Sequence, residues 1–399
     1  MHPLVKPLRA RRFPTAFIEA NGEVPMQEKG WTSDKVRREL RKARGLDHRF
    51  GTGHILGSMC TAPHPAAAAA HAMFLETNMG DPAHFPGTAK LETEVLDDLL
   101  RLMHAPYGAE GRMVSGGTEA NLLACYLARE KTGKTEIIIP ESAHFSFEKA
   151  ARILGMRLVQ VPCDSHGRAD AVRLAGAITR HTALVVAVAG STELGAVDPV
   201  EAIAKECFQR GTLLHVDAAY GGYLLPFIAG HGRFDLGHPG VWSLSLDPHK
   251  VGMSTIPSGV LLLRDGADWK LTAVRAPYLS VSKQSTLLGT RPGAAAAATW
   301  AVHRTLGQEG FARNARTCLD NAKFLATGLK KLGVKLVAEP ELAVVTFRAD
   351  DPPALAARLR SAGYSLNVVQ RHHALRVVVN PHVDRATLRY FLKALEATL

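Results

Sequence analysis

The chain has 399 residues, 46% hydrophobic and 21% charged, proportions that exclude a disordered, collagen-like or coiled-coil protein and point to a folded enzyme-sized molecule. Lys plus Arg number 48 against 37 for Asp plus Glu, a formal charge of +11, but the basic residues are spread along the chain and are weak support for a nucleic-acid partner. The longest apolar runs, Thr182 to Ala189 and Ala294 to Ala298, fall short of the roughly eighteen residues that cross a bilayer, so no membrane partner is expected.

The N-terminal basic residues Lys6, Arg9, Arg11 and Arg12 are not followed by a continuous apolar run, so no secretory signal is read and the cytoplasm is expected. Residues 1–57 read as a helix-bearing arm, in which the basic stretch Lys35 to Arg44 is a helix with a solvated face or, alternatively, a nucleic-acid contact. Cys60, Cys125, Cys163, Cys207 and Cys318 are odd in number, scattered and without a C-x-x-C pair, which argues against a disulfide framework or a zinc ribbon and fits a reducing compartment. No metal site is expected.

Residues 58–291 read as a large α/β domain. From about Gly111 to Asp265, Ile137 to Ile139, Leu158 to Val161, Leu184 to Ala189, Leu213 to Val216, Val241 to Leu246 and Val260 to Leu263 are strand-like runs separated by amphipathic stretches such as Pro199 to Arg210. That alternation predicts a mostly parallel sheet with function on the turns after its strands. Residues 292–399 begin with a helical connector, Pro292 to Leu332, broken near Gly307 and Gly310. A smaller α+β domain follows, with strands at Leu342 to Phe347, Leu366 to Val369 and Leu375 to Val379, and helices at Pro353 to Ser361 and Arg385 to Leu399.

Three motifs at strand ends carry chemistry. Ser115-Gly116-Gly117-Thr118-Glu119-Ala120-Asn121 opens a helix with a glycine pair and hydroxyls, a cradle in which backbone N–H groups converge on a phosphate; alone, it also reads as a helix capped by Thr118. It is neither a P-loop nor a dinucleotide fingerprint. His215-Val216-Asp217-Ala218-Ala219-Tyr220-Gly221-Gly222 ends a strand in a carboxylate followed by small residues, suited to a protonated pyridine ring, or simply a turn-capping Asp. Ser243 to Lys250 places a lysine after a strand, a candidate imine-forming amine or a surface lysine after a proline turn. Together, phosphate cradle, carboxylate and lysine are the three handles of pyridoxal 5'-phosphate. His144, in Ser142-Ala143-His144-Phe145-Ser146, is placed to stack on the cofactor face opposite Ala219, or to sit beside a helix cap at Ser146.

The ordered set of motifs resembles the group II pyridoxal-phosphate decarboxylases, and within them the archaeal-type L-tyrosine/L-aspartate decarboxylases. It also includes Gly57 to Thr61, Pro63-His64-Pro65, Phe74 to Asn78, Thr192 to Gly195, Gly289-Thr290-Arg291 and Arg376 to His382. The resemblance implies an aminotransferase-like type I fold and α-decarboxylation of L-tyrosine, L-aspartate or L-glutamate through external aldimine and quinonoid intermediates. It implies Lys250 as the cofactor-linked lysine, Asp217 as partner of the ring nitrogen, His144 as the stacking ring, and Gly116, Gly117, Thr118 and His249 at the phosphate. Thr192 lies near the phenolic oxygen. Thr290 reaches the neighbouring subunit's cofactor, making the active unit a homodimer with its site at the subunit interface. It implies that Arg376 holds a substrate carboxylate and that Tyr278, Lys250 or His144 returns the proton; Arg376, Arg371, His64 and His372 are the basic residues that could serve either a phenol-bearing or an acidic substrate. Asp247 stands where many relatives carry asparagine, and a carboxylate there is unfavourable near a phosphate unless paired or turned away. A carbon-carbon lyase of the sphingosine-phosphate lyase type shares the same handles and is the alternative.

Overall fold

Seven short runs become strands: β1 (Glu110–Val114), β2 (Glu136–Pro140), β3 (Arg157–Val161), β4 (Thr182–Val188), β5 (Leu213–Asp217), β6 (Ser243–Leu246) and β7 (Gly259–Leu263). They form one sheet in the order β1-β7-β6-β5-β4-β2-β3 in the computed structural model, which describes residues 29–281 and 283–399. Strand β7 runs antiparallel to both its neighbours and the others run parallel. Every residue of β2, β4, β6 and β7 is buried, as continuous apolar runs require when both faces of a sheet are covered. Alternate side chains feed two cores. Ile138, Val185, Ala187 and Val216 face α3 (Pro86–Leu102), α7 (Val200–Gln209) and the first half of α8 (Gly293–Lys331). Ile137, Ile139, Leu184 and Val186 face α4 (Gly117–Thr132) and α5 (Ser146–Leu154).

Strand β1 was not among the sequence expectations because Gly111 and Arg112 interrupt its apolar pattern. The glycine is there for space: a Cβ on Gly111 would stand 2.6 Å from Leu262 and 2.9 Å from Leu96. The connector helix α8 kinks at Gly307 (φ 55°, ψ −174°), whereas Gly310, expected to break it, stays helical. A two-residue hairpin, β8 (Val274–Arg275) with β9 (Lys283–Gln284), was also unforeseen.

The C-terminal strands β10 (Val344–Arg348), β11 (Asn367–Val369) and β12 (Ala374–Val378) form an antiparallel sheet in the order β10-β12-β11. Its core is shared with α9 (Pro352–Ser361), α10 (Arg385–Glu396) and the second half of α8. Residues 49–399 form a single contact unit and residues up to 48 another. The described part of the latter carries α1 (Ser33–Gly45), capped by the Thr32 hydroxyl and with no buried residue. Lys6, Arg9, Arg11 and Arg12 lie outside the described residues. Among the described residues, no helix is long and apolar enough to cross a membrane.

Candidate active site

Five parallel strands of the sheet end on one cavity of about 300 Å³. Its walls come from the turns after β1 (Ser115 to Thr118), β2 (Ser142, His144), β4 (Gly190, Thr192), β5 (Asp217, Ala219) and β6 (Asp247, His249, Lys250). This is where an open α/β sheet places ligands.

The chain leaves β1 and enters α4 through Gly116, and no side chain caps that helix. Thr118 is its second residue rather than its cap. The free first-turn N–H groups and the positive end of the helix dipole therefore meet the cavity, which suits an anion. Both glycines stand where a side chain would be tightly placed. A Cβ on Gly116 would lie 3.0 Å from the His249 ring, and one on Gly117 3.1 Å from both Ala219 Cβ and Asp247 Oδ2.

Asp217, 5% exposed, is the centre of a buried network. Asn121 Nδ2 donates to Asp217 Oδ2 (2.8 Å) and to Ser146 Oγ (3.0 Å), and the Ala219 amide donates to Asp217 Oδ1 (3.1 Å). A carboxylate only accepts, so the amide orientation of Asn121 is fixed, and its Oδ1 accepts from Ser245 Oγ (2.9 Å) and His215 Nε2 (3.0 Å). The remaining His215 nitrogen, Nδ1, accepts from Ser243 Oγ (2.8 Å). Burial pushes the His215 pKa down to about 4 against the opposing pull of Asp217, so the ring is neutral. Asn121, His215, Ser243 and Ser245 all stand inside the strand-end motifs, but the sequence pattern alone assigns them no role.

Lys250 Nζ lies 3.1 Å from Asp247 Oδ2, which is 3.7 Å from His249 Nε2. Burial pulls the Lys250 pKa down, but the carboxylates of Asp247 and Asp217 outweigh it and hold the ammonium above its usual range. Burial lowers the pKa of His249 and of His144. His249 Nδ1 accepts from the Ser258 amide (3.1 Å), which leaves the proton of the neutral ring on Nε2. His144 Nδ1 faces the Ser146 amide at 3.3 Å.

The structure thus gathers Gly116, Gly117, Thr118, His144, Thr192, Asp217, Ala219, His249 and Lys250 around one cavity. It does not bring four other expected residues to the lining. Tyr278 is 86% exposed. Thr290 is exposed, although its neighbour Arg291 is anchored on Glu92 and on the Met113 and Met79 carbonyls. His64 caps α2 (Pro65–Met73) by accepting from the Ala66 amide. Arg376 is buried, with Nη1 on the Thr192 carbonyl (2.5 Å) and Nη2 on that of Gly57 (2.7 Å), leaving Nε without a partner. Asn380 likewise holds the carbonyls of Ser58, Met59 and Cys60. The two motifs 57–61 and 376–382 therefore form one clasp beside the site.

Phosphate cradle, buried carboxylate and lysine at the strand ends of this sheet define a type I pyridoxal-phosphate enzyme. The family model described as the pyridoxal-dependent decarboxylase conserved domain matches residues 64–350. A probable L-tyrosine/L-aspartate decarboxylase of Methanothermobacter thermautotrophicus is 44% identical over 355 residues, 87% of this chain and 98% of that one. A protein of the same description from Methanocella arvoryzae is 40% identical over 94% of this chain and 100% of its own. Among solved structures, a sphingosine-1-phosphate lyase of Burkholderia pseudomallei superposes with a TM-score of 0.87 at 26% identity, over 97% of this chain and 94% of that one. The chain belongs to the pyridoxal-dependent decarboxylase family and is a pyridoxal-phosphate-dependent amino-acid decarboxylase, a carboxy-lyase.

Proposed function

We propose that the enzyme removes the α-carboxylate of L-tyrosine in preference to that of L-aspartate or L-glutamate. The observation that carries this reading is that the basic side chains near the cavity are already engaged. Glu193 Oε2 sits 3.4 Å from His372 Nε2 and 3.8 Å from Arg371 Nε, and both Nη atoms of Arg376 are on carbonyls. A second substrate carboxylate would have to break one of these contacts, whereas a phenol does not. To take the α-carboxylate, Arg376 would release Thr192 or Gly57. Comparison of kcat/KM for the three amino acids tests the reading: tyramine formation should exceed β-alanine formation by at least about tenfold, equivalent to about 1.4 kcal/mol. A preference for aspartate or glutamate would contradict it. The lyase reading gains support only if an aldehyde is released from a phosphorylated amino alcohol.

Pyridoxal phosphate supplies, when bound, a conjugated ring that takes up the electron pair left when carbon dioxide departs. The first turn of α4, with His249, would hold its phosphate; the Asp217 carboxylate would keep a proton on the ring nitrogen; His144 and Ala219 would flank the ring. Lys250 would be the covalent anchor and, lining the same cavity, would also carry the proton returned to the α-carbon. In a single chain the exposed Tyr278 lies outside the cavity lining, which favours Lys250 over it as the donor.

The active unit in this reading is a homodimer. Support comes from the exposure of Thr290 beside an anchored Arg291, together with exposed Leu287 and Leu288. Sedimentation of the purified holoenzyme as a monomer would contradict it. The five free thiols fit a cytoplasmic location, and recovery of the native protein in an exported fraction would count against that.

A further inference from the structure

Asp247 carries the wrong sign of charge for a phosphate cradle. Its side chain is 2% exposed, and its Oδ2 is 3.1 Å from where a Cβ on Gly117 would stand. Oδ1 lines up with no hydrogen-bond partner although it is fully buried. A dianionic phosphate seated on the first turn of α4 would repel this carboxylate strongly in so buried a place.

The titratable groups that face Asp247 are Lys250 and His249 on its own turn, Asp217 from β5, Tyr223 from the turn after β5, His144 from the turn after β2 and Cys60 from the segment before α2. Burial keeps both histidines low and raises Cys60 and Tyr223. Lys250 is then the one cation in this set at neutral pH, and Asp217 shares it.

Resting on the reading of this cavity as the cofactor site, we propose that Asp247 takes up a proton when the cofactor's phosphate fills the cradle, and that the neutral carboxyl donates its O–H to a phosphate oxygen. Bond formation leaves that proton unaccounted for by Lys250. The Nζ ammonium and the cofactor aldehyde would give a protonated C=N bond and one water with no net proton gained or lost, and the proton that Asp217 would hold on the ring nitrogen is common to wild type and Asp247 variants, so the extra proton on Asp247 comes from solvent. Asp247 is thus a positioning residue for the phosphate rather than a participant in bond breaking.

The sign follows from linkage. Relative to a variant without the Asp247 carboxyl, the bound wild type holds one proton more, so its cofactor affinity falls about tenfold further per pH unit. An asparagine has the same shape and a permanent donor, and needs no proton. Cofactor-free wild type, Asp247→Asn and Asp247→Ala are titrated with pyridoxal phosphate at about pH 7, 8 and 9 by calorimetry in two buffers of different protonation heat. The expected result is that wild type takes up about one proton more per site than either variant, and that the ratio of wild-type to variant Kd grows about tenfold per pH unit. Equal proton counts, or no proton uptake by wild type where the variants do not fold, would overturn the role of Asp247. Failure of all three proteins to bind the cofactor would instead overturn the reading of the cavity on which it rests.

Discussion

Lys250→Ala should lose at least about 10⁴-fold in kcat/KM, the order seen when a covalent catalyst is deleted. Two proposed functions end together: the covalent anchor for the cofactor, and the ammonium that returns a proton to the α-carbon. The variant also leaves Asp247 and Asp217 facing each other's field without the cation that both share, so it should bind pyridoxal phosphate more weakly as well as turn over more slowly. Lys250→Arg separates these effects. It restores the charge beside Asp247 but forms no stable C=N bond, so it should recover stability and not activity. Single-turnover assays and thermal melting of both variants check this; substantial activity in either would contradict the covalent role.

Asp217→Asn should lower kcat by about 10² to 10⁴, or roughly 3 to 5 kcal/mol of transition-state stabilisation. The carboxylate is proposed to hold a proton on the ring nitrogen, and a neutral amide would not. The substitution also upsets the network around it, because Asn121 Nδ2 and the Ala219 amide both donate to this side chain. One carbonyl oxygen cannot replace two carboxylate oxygens at both positions, so a donor is left facing a donor. Part of the loss should therefore appear as a lower melting temperature, and Asn121→Ala should reproduce that stability loss with a smaller loss of kcat. Unchanged turnover in Asp217→Asn would show that the ring nitrogen needs no charged partner here.

Strand ends could be read from the sequence because each of them combines an apolar run with an abrupt polar residue: Val216 to Asp217, Leu246 to Asp247. The network behind Asp217 could not, since Asn121 meets His215 and Ser245 from 94 and 124 residues away. A signal was present nonetheless. His215 and Asp217 in β5, and Ser243 and Ser245 in β6, are polar residues two apart in otherwise apolar strands, so they share one face of the sheet, the face that α4 covers. Arg376 shows the opposite case. Its motif is legible, but whether the guanidinium faces substrate or backbone depends on the carbonyls of Thr192 and Gly57, which no local pattern announces. For Thr290 and Tyr278, the role expected from the resemblance involves surfaces that a single chain leaves exposed.

The central claim is that Lys250 Nζ bonds covalently to pyridoxal phosphate within this cavity. Purified protein loaded with the cofactor is treated with borohydride, digested and analysed by mass spectrometry. The expected result is a single modified peptide whose Lys250 carries the mass of the reduced cofactor. An unmodified Lys250, or the label on another lysine, would contradict it.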